Sequence, residues 1–181
     1  MKILITGATG LIGSRIVKDC LEKDIQVHFL TTRKSKINSL PGCTGFYWNP
    51  EKNFIDLLCF KGVDSIISLS GASIFRLWTK KNKNLILKSR VESLKFLREK
   101  IIQNNIKINS IVSASGIGLY PSSNESEFSE TELKRSNYFL SEVIKEWESA
   151  TYSFEKIIKY VSVVRIGLVL SEKGGVFKKT I

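Results

Sequence analysis

The chain has 181 residues, with 28 basic against 17 acidic side chains, a net charge of +11 and 43% hydrophobic content. That length predicts one domain over 1–181 with a sizeable core. No apolar run reaches the roughly 20 residues of a membrane span, and the first apolar run is broken by glycines with no small-residue cleavage site, so it reads as structure and not as a secretion signal. Cys20, Cys43 and Cys59 are odd in number and lack metal-ligand spacing, which predicts reduced thiols in a cytoplasmic protein and no metal site.

Strand-like and helix-like segments alternate. Strands are predicted near 2–6, 26–31, 44–48, 64–70, 109–114 and 160–166, and helices near 11–23, 77–104 and 137–157, with a short helix at 53–60. The alternation implies βαβ units and a Rossmann-type, doubly wound parallel sheet in three α/β/α layers. Ile66-Ile67 and Ile111-Val112 have the β-rich character of strands buried on both faces. In the first helix Leu11, Val17 and Leu21 are expected to face inward, with Arg15 and Lys18 outward. The polar loop Pro121–Glu127 reads as exposed. Part of the basic excess, Arg76, Lys80, Lys81, Lys83, Lys88, Arg90, Lys95, Arg98 and Lys100, lies on or just before the 77–104 helix. No aromatic residues interleave with it at single-strand-binding spacing, so it reads as a solvated face and not as a nucleic-acid surface.

The most informative stretch is Ile5-Thr6-Gly7-Ala8-Thr9-Gly10-Leu11-Ile12-Gly13, in which the first strand runs into three glycines spaced three apart and then into a helix. Gly7 lets the chain turn, Gly10 lets backbone approach a pyrophosphate, and Gly13 lets the helix pack on the strand. The unpaired N–H groups and the dipole of the helix favour an anion there. In an open sheet of this kind the loops beyond the carboxyl ends of the strands, after residues 6, 31, 70, 115 and 167, line one cleft. The second strand ends Thr31-Thr32-Arg33-Lys34, without the acid that binds the ribose hydroxyls of NAD. Arg33, assisted by Thr32 and Lys34, is placed to pair with a 2′-phosphate, which predicts NADP over NAD.

These residues resemble the extended short-chain dehydrogenase/reductase superfamily, and more closely its atypical epimerase-like family, labelled as sugar-nucleotide epimerases or cell-division inhibitors. The matching stretches include the glycine turn, Trp48-Asn49-Pro50, Ser68–Ser73, Ser89-Arg90-Val91, Ser113-Ala114-Ser115, Trp147-Glu148 and Arg165-Ile166-Gly167. The resemblance implies that Gly7, Thr9, Gly10, Leu11, Ile12 and Gly13 form the pyrophosphate loop and that Arg33 meets the adenosine phosphate. It places Ser70, Gly71 and Ala72 near the nicotinamide ribose, and Ser113 and Ser115 in the serine motif. Such proteins have two lobes and roughly 300 residues, a two-domain size. With Ile181 coming soon after Gly174-Gly175, the C-terminal substrate lobe is expected to be absent from this chain. The resemblance also implies pairing into a homodimer through the 77–104 and 137–157 helices.

Short-chain dehydrogenases use a serine, a tyrosine and a lysine four residues after the tyrosine. Tyr152-Ser153-Phe154-Glu155-Lys156 matches literally, but it lies at the far end of its helix. Tyr138 is better placed, yet Glu142 stands where the lysine belongs, and a carboxylate there raises a phenol pKa, the wrong direction for a base. Ser115 is therefore the first candidate for a catalytic group that polarises the reacting oxygen, Ser113 the second and Tyr138 the third; Tyr120 is within reach of the cleft. The lone His28 reads as a core-edge residue. The function that follows is an NADP-dependent oxidoreductase or epimerase acting on a small, sugar-nucleotide-like molecule. The alternative is an NADP-binding sensor without turnover.

Overall fold

The structure is a computed structural model that describes residues 1–131, 136–172 and 174–175. Nine strands and three α-helices are found among them: β1 Lys2–Thr6, α1 Leu11–Leu21, β2 Gln26–Thr31, β3 Thr44–Asn49, β4 Phe54–Ile55, β5 Ser65–Ser68, α2 Lys80–Gln103, β6 Ser110–Gly116, α3 Phe139–Tyr152, β7 Tyr160–Ile166, β8 Leu170–Ser171 and β9 Gly174–Gly175. The main sheet runs β4-β3-β2-β1-β5-β6-β7. All its pairings are parallel except β3 with β4. The chain builds outward from β1 to β3, then starts again on the other side of β1 with β5. A crevice therefore opens above the β1–β5 junction, where Gly7 and Leu69 leave the sheet.

Alternation along the strands sorts the core into two layers. Ile3 and Ile5 of β1 join Val17 and Cys20 of α1, with Val27 and Phe29 of β2. Leu4 faces the other way, into the larger cluster of Ile66, Ile111, Leu94, Leu97, Trp147 and Phe154 beneath α2 and α3. Fully burying one such side chain stabilises by roughly 1.5–3 kcal/mol. β1 is buried on both faces, but the expectation of the same for β5 and β6 holds only in part. Ile66 and Ile111 are buried, whereas Ile67 and Val112 are only partly so. Further out, Tyr160 and Val164 of β7 are exposed, because α1 is the one described α-helix on that face and it packs over β1 and β2.

Two local expectations change. Leu21 is 36% exposed, and the buried stripe of α1 is Gly13, Val17 and Cys20. A Cβ at Gly13 would stand 2.2 Å from the Gly7 oxygen, so the helix can approach the sheet only on its Gly13 side. At 100° per residue Leu21 then lies about 80° off that line. Residues 53–60 do not form an α-helix. Pro50 and the Asn49 side chain, which accepts from the Lys52 N–H, turn the chain back into β4. Asp56 then accepts from the Leu58 N–H and caps a 3₁₀ turn over Leu57–Phe60.

The basic face of α2 is solvated at Lys80, Lys81, Lys88 and Lys95, but Arg90 and Arg98 turn inward, where Arg98 Nε donates to the Ser153 carbonyl. His28 is buried on β2 between β1 and β3, with Nδ1 2.8 Å from the Cys59 carbonyl and its ring 4.9 Å from that of Phe46. Cys20, Cys43 and Cys59 are all free thiols. No described helix is long and apolar enough to cross a membrane.

Candidate functional site

The turn after β1 is a consequence of its glycines. Gly7 has φ of 74°, a region that costs other residues energy, and a Cβ there would lie 2.8 Å from the Leu69 carbonyl carbon. Gly7 thus lets the β1 turn and the β5 loop meet at backbone distance. Thr6, fully buried, ties the same two segments together: its Oγ1 accepts from the Leu69 and Ser70 N–H groups and lies 3.0 Å from Ser70 Oγ. The first turn of α1 follows at once. Gly10 is its N-cap with no side-chain cap, and no acid stands in that turn. Its leading N–H groups have no intrahelical partner, and no carboxylate of that turn competes with an incoming anion.

These backbone groups open into a cavity of about 530 Å³ lined by Gly7, Gly10–Gly13, Leu69, Ile74, Phe75, Arg90, Ala114–Gly118, Leu140, Val143, Ile144, Trp147 and Ile166–Val169. It lies over the β1–β5 switch, and four of the five loops predicted to converge contribute to it; the loop after residue 31 does not. Gly7, Gly10, Leu11, Ile12, Gly13 and Ser115 all line it. Thr9 is exposed beside the turn. Ser70, Gly71 and Ala72 form the strip between Leu69 and Ile74, and the Ala72 N–H is held by Ser89 Oγ at 2.9 Å. Thr32 and Arg33 stand exposed at the end of β2. There the Arg33 N–H donates to Thr31 Oγ1 at 3.2 Å, and Lys34 Nζ lies 5.3 Å from the centroid of the Tyr47 ring.

The candidate serines differ in their surroundings. Ser113 is fully buried and donates to the Ala114 carbonyl. Ser115 and Arg165 are register partners on β6 and β7, so both side chains reach the face on which α3 packs. Ser115 Oγ donates to Glu148 Oε1 at 2.6 Å. Arg165 grips the same carboxylate with both arms, Nε to Oε1 at 2.8 Å and Nη2 to Oε2 at 2.9 Å. Its remaining Nη1 donates to Tyr120 Oη at 2.6 Å and to the Glu130 carbonyl, and the Tyr120 hydroxyl donates to the Ser129 carbonyl. The Arg165 and Glu148 side chains are 15% and 9% exposed, and the bond to Glu148 pushes the guanidinium pKa further up. The hydroxyl expected to donate to a reacting oxygen thus has its proton committed to Glu148, and lone pairs are what Ser115 has left to offer a ligand.

Tyr138 is 71% exposed at the N-cap of α3 and does not line the cavity. Tyr152, of the literal tyrosine–lysine match, is 43% exposed at the other end of α3. Four groups of this site had no role assigned from sequence: Thr6, Arg90, Glu148 and Arg165. Two of them carried a signal. Glu148 falls beside Val143, Ile144 and Trp147 on an otherwise apolar helix stripe, and Arg165 interrupts an apolar strand. Opposite charges inside two apolar runs announce a buried pair.

The model of the NAD dependent epimerase/dehydratase family matches residues 3–175. An Epimerase family protein of Staphylococcus saprophyticus is 34% identical over 175 residues, covering 95% of this chain and 56% of its own length. Another, from Staphylococcus epidermidis, is 30% identical over 174 residues, covering 96% of this chain and 57% of its own. The chain thus spans about half the length of the curated relatives it matches. Among solved structures, the human epimerase family protein SDR39U1 with NADPH superimposes with a TM-score of 0.78 at 22% identity, over 99% of this chain and 58% of that one, a likeness of fold. The nucleoside-diphosphate sugar epimerase from Corynebacterium glutamicum gives a TM-score of 0.77 at 25% identity, over 99% of this chain and 36% of that one. With a glycine turn at the sheet's switch point and a family match over nearly its whole length, the chain belongs to the NAD-dependent epimerase/dehydratase family.

Proposed function

We propose that this chain is the dinucleotide-binding part of an NADP-dependent epimerase or oxidoreductase acting on a small, sugar-nucleotide-like molecule. The observation that carries the proposal is the uncapped, acid-free N-terminus of α1 opening into the cavity directly after the Gly7 turn. The amides of Leu11, Ile12 and Gly13 would hold the diphosphate, the Gly10 N–H being spent on the Gly7 carbonyl at 2.9 Å. Arg33 and Thr32 would take a 2′-phosphate at the end of β2, and Ser70–Ala72 would flank the nicotinamide ribose. The human epimerase family protein named above is with NADPH and the Corynebacterium glutamicum protein is a nucleoside-diphosphate sugar epimerase, which supports this choice of coenzyme and substrate class. When bound, the nicotinamide would exchange a hydride with a carbon bearing oxygen. Ser115, its proton held by Glu148, would accept a hydrogen bond from the substrate hydroxyl and orient it, while Ile74, Phe75 and Leu140 would exclude water.

The placement of Tyr138 and Tyr152 supports a second function, an NADP-occupied sensor without turnover, because neither phenol lines the cavity. Two measurements separate these accounts. Calorimetry on the folded chain is expected to detect binding of NADPH, tighter than NADH; no heat from either at millimolar levels removes both. Incubation with NADPH and a panel of carbonyl compounds then distinguishes them, since binding without substrate-dependent oxidation selects the sensor.

A further inference from the structure

Arg90 is the unusual cation of this molecule. It projects from α2 to the cavity wall, part-buried, where a Cβ on residue 71 would stand 2.8 Å from its Cζ. Glycine at 71 is therefore what leaves room for the guanidinium. Its Cζ lies 5.0 Å from the centroid of the Trp147 ring, a cation–π distance. One nitrogen is spent on the backbone, as Nη1 donates to the Ala72 carbonyl at 3.1 Å and to the Ile86 carbonyl at 2.9 Å. Nε and Nη2 donate to no acceptor among the described residues. Arg90 forms no ion pair there either, whereas the carboxylate at the far side of the site, Glu148, is taken by Arg165. Burial pulls the Arg90 pKa down.

A part-buried guanidinium without a counter-ion is costly, and its two unspent donors form one edge of a fork that matches the two oxygens of a carboxylate or phosphate. The surrounding wall is apolar: Ile74, Phe75, Leu140, Val143 and Ile144 supply no competing acceptor side chain. We propose that Arg90 is a second oxyanion-binding position in the cavity, separate from the α1 amides, which takes a carboxylate or phosphate of the molecule that enters beside the dinucleotide. The proposal rests on the dinucleotide site above for what the oxyanion accompanies, and on Arg90's own surroundings for the oxyanion itself.

The test uses the folded chain, with and without saturating NADPH, titrated calorimetrically with oxalate and, separately, with inorganic phosphate. At least one of the two is expected to bind saturably to the NADPH-loaded chain. Arg90→Gln is expected to weaken that binding by at least about tenfold while NADPH affinity changes less than about twofold. Arg90→Lys keeps the charge for Trp147 and the two carbonyls but not the fork, and it serves if the glutamine variant does not fold; a loss of about threefold or more is expected from it. Failure of both anions to bind the wild-type chain overturns the proposal, as does equal binding by the variants. A tenfold loss of NADPH affinity in Arg90→Gln, with anion binding unchanged, also overturns it, because the guanidinium then serves the dinucleotide's own phosphates. Absence of NADPH binding together with Arg90-dependent oxalate binding removes the dinucleotide function and leaves this oxyanion position standing.

Discussion

Replacing Glu148 by alanine tests the network that fixes Ser115. The substitution deletes the acceptor of two Arg165 bonds, at 2.8 and 2.9 Å, and of the Ser115 bond at 2.6 Å. It leaves a guanidinium that is only 15% exposed, still bonded to Tyr120 Oη and the Glu130 carbonyl. Breaking a buried pair from one side costs about 3–5 kcal/mol. The two surviving acceptors place Glu148→Ala near the lower end, about 3 kcal/mol, or a melting temperature about 6–12 °C lower for a domain of this size. Glu148→Met combined with Arg165→Met removes both charges and should recover to within about 1–2 kcal/mol of wild type. Urea denaturation of the four chains of the Met cycle, with thermal melts beside them, measures the coupling. A loss below about 1 kcal/mol in Glu148→Ala, or a double variant that costs the sum of the singles, refutes the picture of a buried, mutually dependent pair.

Gly13→Ala should destabilise the fold by about 1–3 kcal/mol through overpacking and weaken NADPH binding, because the new methyl meets the Gly7 carbonyl at 2.2 Å and that carbonyl is backbone; melting and calorimetry on one sample read both effects. Arg33→Ala should weaken NADPH binding by about tenfold or more, the worth of a charged hydrogen bond, and leave NADH binding unchanged; an equal loss for both coenzymes contradicts a 2′-phosphate role. His28 makes stability depend on pH. Burial lowers its pKa in the fold against the opposing bond to the Cys59 carbonyl. The unfolded chain therefore binds the proton more readily, and stability falls as pH drops below about 6.5, by at most about 1.4 kcal/mol per unit from this group. His28→Phe should flatten that limb of the stability–pH curve measured by urea denaturation.

The fold was readable because its signals are local. Strand β1, the glycine turn and α1 are specified by a dozen contiguous residues whose apolar run and glycine spacing admit one arrangement, and the alternation that follows predicts a parallel sheet. The glycine turn was found the same way, Ser115 through the family resemblance, and both line the cavity. What the linear order could not supply was anything set by which helix side meets the sheet. The inward stripe of α1 turned on a single backbone contact, Gly13 against Gly7, and not on the placement of its leucines. Arg90 counted as one more charge on a basic helix until Gly71 and Trp147 closed around it. Ser115 was a free donor on paper, but Glu148 from α3, held in place by Arg165 from β7, accepts its hydrogen bond. Periodicity and turn chemistry are properties of neighbours along the chain, so the sequence alone determined the main elements and the glycine turn. Charge pairing and hydrogen-bond direction depend on residues 17 to 33 positions apart, and packing of the layers alone decides which of them meet.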